Sequence, residues 1–141
     1  YSYTDKLFPS LFITPNISKP QITIICYGEV LHEVELAVRM ALVELEIFID
    51  IVCPILISPI DLSLIKGSVQ ETKNLLIIEE GNNEAAWGSE VVAQLVEDEV
   101  QLSTVHRFSN RNIIPSSYEA EKSIMPTKEN IFTLIGLMIK E

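Results

Sequence analysis

Asn74 to Val100 reads NLLIIEEGNNEAAWGSEVVAQLVEDEV. Leu75 to Ile78 is an unbroken apolar, partly β-branched run, the pattern of a strand covered on both faces as in a parallel sheet. Glu79 and Glu80 are expected to end it. Gly81 supplies a residue free to take positive φ where the chain turns, and Asn82 and Asn83 tolerate the same region. Gly88 and Ser89 mark the start of a helix with Glu90 in its first turn. Val91, Val92, Leu95, Val96 and Val100 then recur at helical spacing. The stretch is a strand-loop-helix unit, and in open α/β sheets the loops that follow strands form the ligand or partner edge.

Outward from this unit the same alternation repeats. Tyr1 to Gln21 is rich in Pro, Ser and aromatics and has no period, so residues 1–20 read as a linker or edge-strand segment and 21–141 as one α/β domain. ITIICY, Ile22 to Tyr27, is a core strand closed by a turn at Gly28. Val30, Val34, Ala37, Val38, Ala41, Leu42 and Leu45 mark the buried face of the next helix. Ile47 to Cys53 is a second strand, broken by Pro54, which cannot donate to a ladder. Asp61 is the expected N-cap of a short helix carrying Leu62, Leu64, Ile65 and Val69 inward. After the opening unit, Val105 to Phe108 is a fourth strand, interrupted by His106 and Arg107. Asn110 to Pro126 is a long irregular connection. Thr127 caps a last helix with Ile131, Leu134, Ile135, Met138 and Ile139 as its stripe. Four such alternations predict an α/β fold, a mostly parallel sheet between two helical layers.

Bulk composition narrows the function. A chain of 141 residues with 48% hydrophobic and 21% charged residues is globular and long enough for a core. No apolar run reaches the ~20 residues of a membrane span. Tyr1 lacks both an initiator Met and a signal-peptide pattern, and is read as a cut inside a longer protein. The net charge of −10 repels polyphosphates and argues against nucleic acid, while it suits a basic protein partner. Cys26 and Cys53 sit in apolar strands without CxxC or histidine spacing. Buried free thiols are therefore expected, in a reducing cytosol (a cytoplasmic location) or organelle matrix.

No catalytic, cofactor-binding or metal-ligating residue is assigned. Glu79 and Glu80 are neighbours in a strand, so they point to opposite faces and cannot easily act on one atom. Gly28 and Gly81 each follow a strand, yet neither belongs to a phosphate-binding glycine motif, and Glu29, Glu79 and Glu80 oppose an anion. His32 and His106 are isolated, so structural or solvent-exposed roles are expected. Glu90, Glu97, Asp98 and Glu99 crowd one helix and Glu119 and Glu121 one loop, which reads first as a solvated acidic face. Trp87 is either a packing anchor or an interface anchor.

From Gln21 onward the residues resemble the C-terminal domain of the transketolase-like thiamine diphosphate enzymes, most closely the beta subunit of 2-oxoacid dehydrogenase decarboxylating components acting on pyruvate, branched-chain acids or acetoin. The matching pieces are ITIICYGEVLHE, Pro59-Ile60-Asp61, LLIIEEG with the later Gly88-Ser89-Glu90, and the loop with Pro115, Ser117, Glu121 and Pro126. The sequence departs from the family where Glu84, Ala85 and Ala86 replace glycines, and where Cys53, Pro54 and Ile55 stand in place of an Asp-Leu-Arg. The resemblance implies a three-layer α/β/α domain with a five-stranded sheet, one edge strand antiparallel, which Tyr1 to Gln21 can supply. It implies that thiamine diphosphate and magnesium belong to preceding domains of the parent, through a GDG motif this sequence lacks. The chain alone is then a non-catalytic assembly or dimerisation domain whose parent is an oxidoreductase or a transketolase. Its implied partners are other subunits or domains of that parent, through a homodimer contact, and the basic subunit-binding domain of an acyltransferase core. The expected interface comprises Glu79, Glu80, Gly81, Trp87, Ser89, Glu90, Glu97, Asp98, Glu99 and Glu121. The alternative is a free-standing α/β ligand-binding or regulatory module using the crevice beside Gly28 and Gly81.

Overall fold

The computed structural model describes residues 1–110 and 113–140. Its strands are β1 Ser2–Tyr3, β2 Ser10–Ile13, β3 Ile22–Cys26, β4 Ile49–Pro54, β5 Asn74–Asn82 and β6 Thr104–Asn110. The helices are α1 Leu31–Leu45, α2 Ser63–Thr72, α3 Trp87–Glu97, α4 Tyr118–Lys122 and α5 Lys128–Met138. Together the strands make one six-stranded sheet in the order β1-β2-β4-β3-β5-β6. β3 to β6 are mutually parallel and β2 alone runs against the rest, since it pairs antiparallel with both β4 and β1. The sixth strand beyond the expected five is the two-residue β1, folded back by Thr4, whose N–H donates to the Ser10 carbonyl and whose hydroxyl accepts from Ser10 N–H.

Side chains alternate across β3, β4 and β5 and feed two cores. Ile22, Ile24, Ile51, Leu76 and Ile78 pack beneath Val34, Ala37 and Ala41 of α1 and Ile131 and Ile135 of α5. Ile25, Val52, Leu75 and Ile77 pack against Ile65 and Val69 of α2 and Val91 and Leu95 of α3. Burying each of these branched side chains contributes about 1.5–3 kcal/mol, which explains why the central strands read as continuous apolar runs. The second layer also holds a buried polar chain. Thr23 Oγ1 meets Ser68 Oγ and Thr72 Oγ1, each at 2.7 Å, and Ser68 donates to Asp50 Oδ2 at 2.7 Å.

Several boundaries differ from expectation. β5 runs on through Glu79 and Glu80 to Asn82, and Gly81 does not take positive φ; that role falls to Ala85, at φ 54°. The ladder to β6 runs to Ile78↔Phe108, is interrupted by an irregularity across Glu79 to Gly81, and resumes at Asn82↔Asn110. Asp61 is not the N-cap of α2. Leu62 occupies that position, and Asp61 Oδ1 accepts from Ser63 N–H and Oγ one residue early. The long connection contains α4. Thr127 does cap α5, its hydroxyl accepting from Asn130 N–H at 3.3 Å. Leu42, Leu45, Val96 and Ile139 are exposed rather than core.

Candidate functional site

The carboxyl ends of β3, β5 and β6 converge on one edge, where the chain leaves for α1 on one face and α3 on the other. Gly28, at φ 71°, makes the turn out of β3 possible, a conformation that costs a residue with a Cβ. Glu79 turns toward α3 and Glu80 toward the opposite face, so the strand separates their chemistry.

Glu79 is 1% exposed and accepts the Gly88 N–H through Oε2 at 3.1 Å. This strand carboxylate, rather than Ser89, satisfies an amide at the start of α3, which therefore begins at Trp87 with Ala86 before it. Burial pushes the Glu79 carboxyl above its ordinary range, against the lowering effects of the Gly88 amide and the Arg107 guanidinium. Gly88 is where α3 touches β5: a Cβ there would sit 2.7 Å from Ile77 Cγ2 and 2.9 Å from Glu79 Oε1. Ser89 instead bonds the Arg107 guanidinium, which also donates to the Asn83 carbonyl at 3.3 Å. An open cleft of about 420 Å³ lies over this group, lined by Asn83, Ser89, Val92, Val105, His106 and Arg107. Trp87 is half-buried; its indole N–H donates to the Ile57 carbonyl at 2.9 Å and its ring meets Tyr27 edge-on, with centroids 5.2 Å apart.

On the other face, Glu80 enters a groove of about 800 Å³ between the start of α1 and the α4–α5 segment. Its walls carry Glu29, Glu33, Glu121 and Glu129 with Lys122 and His32, over Val30, Met125 and Pro126. Burial, then the charges of Glu29 and Glu121, push the Glu80 carboxyl above its ordinary range. Glu33 is engaged, accepting the Lys128 N–H at 2.8 Å.

The ten residues expected at an interface therefore fall into separate places. Glu79, Trp87, Ser89 and Glu90 gather around the start of α3, Gly81 lies two residues past Glu79 in β5, and Glu80 and Glu121 share the groove. Glu97, Asp98 and Glu99 lie exposed at the opposite end of α3, where Asp98 pairs with Lys66 at 2.6 Å. Glu79 is buried and capping, so it presents no surface. Arg107 was legible only as an interruption of an apolar strand. A charge in such a run signals a nearby polar partner, but not which one.

The sequence profile described as "Transketolase, C-terminal domain" matches residues 16–131. The chain belongs to the transketolase C-terminal domain family. The family is one of thiamine diphosphate-dependent enzymes. Among solved structures, the chain is similar to "Split gene transketolase, inactive beta4 tetramer", with TM-score 0.76 and 19% identity over 92% of this chain and 42% of that one. It is also similar to 2-oxoglutarate:ferredoxin oxidoreductase from Magnetococcus marinus, with TM-score 0.62 and 12% identity over 92% of this chain and 20% of that one. The chain thus spans less than half the length of either. No curated protein matches the sequence.

The residues at this edge do not fit magnesium diphosphate. The amide at the start of α3 is already taken by Glu79, the groove presents carboxylates to any anion, and among the described residues no three His, Cys, Asp or Glu side chains are placed to hold a metal ion.

Proposed function

We propose that this domain assembles, rather than catalyses, within a thiamine diphosphate-dependent enzyme. The parent is a 2-oxoacid dehydrogenase, through its beta subunit or a fused chain, or a transketolase-like relative. The single observation that supports the reading most is family membership combined with a sheet edge dressed in carboxylates. That edge suits contact with a basic or polar protein surface and repels the diphosphate of the cofactor. In this reading the Trp87 loop contributes to association with another subunit or domain of the parent. The exposed Glu97, Asp98 and Glu99 contribute to docking a basic segment of an acyltransferase core.

The experiment is sedimentation velocity of the chain mixed with the cofactor-binding portion of its parent, taken from the upstream reading frame or a neighbouring gene carrying GDG followed by Asn. A co-sedimenting complex whose affinity falls as salt rises is expected. Two species that sediment independently at every salt concentration would end the proposal. For the acyltransferase arm, reversing the charges of Glu97, Asp98 and Glu99 is expected to weaken binding and flatten its salt dependence. Unchanged affinity and salt slope would remove that arm.

A further inference from the structure

We propose that Cys26 and Cys53 form a modification site, a paired dithiol that a hydroperoxide converts to a disulfide across the carboxyl edge of the sheet. They are the only two cysteines in the sequence. Both are free and buried, one at the end of β3 and the other near the end of β4. These strands are parallel neighbours paired up to Ile25↔Val52, so the next residue on each strand places the two cysteines side by side. Neighbouring strands lie about 4.8 Å apart. That separation falls in the roughly 4.4–6.8 Å Cα range that a disulfide spans. Both side chains face the same core, beneath α1.

The surroundings assign each thiol a role. Cys53 is 8% exposed and Cys26 fully enclosed, so an oxidant arriving from solvent meets Cys53 first. The neighbouring Cys26 side chain, and then the Gly28 backbone, lower the Cys53 thiol below its usual range against burial. The neighbouring Cys53, and then burial, push Cys26 well above it. Its access to solvent makes Cys53 the nucleophile, and the enclosed Cys26 is the partner that follows. In the reaction the Cys53 thiolate attacks one peroxide oxygen and the O–O bond breaks. Hydroxide leaves, and Cys53 becomes a sulfenic acid. Cys26 sulfur then attacks Cys53 sulfur, the S–OH bond breaks, and the departing hydroxide takes the Cys26 proton. Two thiols lose two electrons and two protons, and hydrogen peroxide becomes two waters. The bond formed ties β3 to β4 two residues before the turn at Gly28.

The test treats the folded full chain with hydrogen peroxide, removes the peroxide with catalase, then unfolds the chain in N-ethylmaleimide and maps its peptides without reductant. The expected product is a linked Cys26–Cys53 peptide pair, unalkylated and lighter by two hydrogens. In Cys26→Ser, Cys53 is expected to stop at a sulfenic acid that dimedone traps. In Cys53→Ser, the linked pair is lost and Cys26 emerges fully alkylated. Circular dichroism confirms that each variant is folded, and the unsubstituted chain decides the matter if one is not. Two fully alkylated thiols after peroxide, or Cys53 oxidised to sulfinic acid beside an alkylated Cys26, would overturn the proposal.

Discussion

Gly88→Ala tests the packing that sets the Trp87 loop on the sheet. The added methyl would stand 2.7 Å from Ile77 Cγ2 and 2.9 Å from Glu79 Oε1. Ile77 is fully buried in the core beneath α2 and α3, so it has little room to yield. Overpacking of this kind costs about 1–3 kcal/mol. Alanine's advantage over glycine in a helix returns at most about 1 kcal/mol, and less in a first turn. The net expectation is a loss of about 1–2 kcal/mol, measured as a shift in the urea midpoint at unchanged slope. Gly67 in α2 is the control. Nothing lies within 4 Å of a Cβ there, so Gly67→Ala is expected to stabilise by about 0.5–1 kcal/mol. In an Ile77→Ala background the Gly88→Ala penalty should shrink by at least about 0.5 kcal/mol, since the crowded methyl is gone. Gly88→Ala that stabilised as Gly67→Ala does would refute the close contact between α3 and β5.

Glu79 gives a pH signature. Its carboxyl is raised in the folded state, so that state holds the proton more tightly than the unfolded chain. Its contribution to stability is full below the ordinary carboxylate range and is lost as pH rises through the folded value. Glu79→Gln should remove this fall, leaving a smaller slope of the same sign from Glu80, and thermal melts from pH 4 to 8 read it directly; a slope equal to that of the unsubstituted chain would contradict the burial argument. Trp87→Ala removes the indole bond to the Ile57 carbonyl, the edge contact with Tyr27 and part of the core beneath α2 and α3, a loss of about 2–4 kcal/mol. Self-association measured by sedimentation well below the melting temperature should fall as well, and a variant unchanged in both would remove Trp87 from the proposed interface.

The strand-helix alternation was legible because both faces of β3, β4 and β5 are covered, which leaves unbroken apolar runs that few other folds produce. The separation of Glu79 from Glu80 followed from the two-residue period of a strand. What escaped was determined by contacts distant in sequence. Gly88 and Ser89 resemble a local helix start, but α3 begins earlier, at Trp87, and its Gly88 amide is taken by Glu79 from across the loop. Gly81 was the natural residue for positive φ, yet β5 resumes its pairing with β6 at Asn82, beyond Gly81, and the positive φ falls at Ala85. Asp50, Thr23, Ser68 and Thr72 show no polar pattern in sequence, because they meet only when α2 packs on β3 and β4. The groove likewise depends on α4 and α5 folding against the start of α1, so Glu29, Glu80 and Glu121 become neighbours only in three dimensions.

Whether this domain assembles or catalyses is tested most directly by titration calorimetry of the full chain with thiamine diphosphate and magnesium. An anion-repelling edge whose α3 amide is already capped predicts heats of dilution only. Saturable micromolar binding by this chain alone would contradict it.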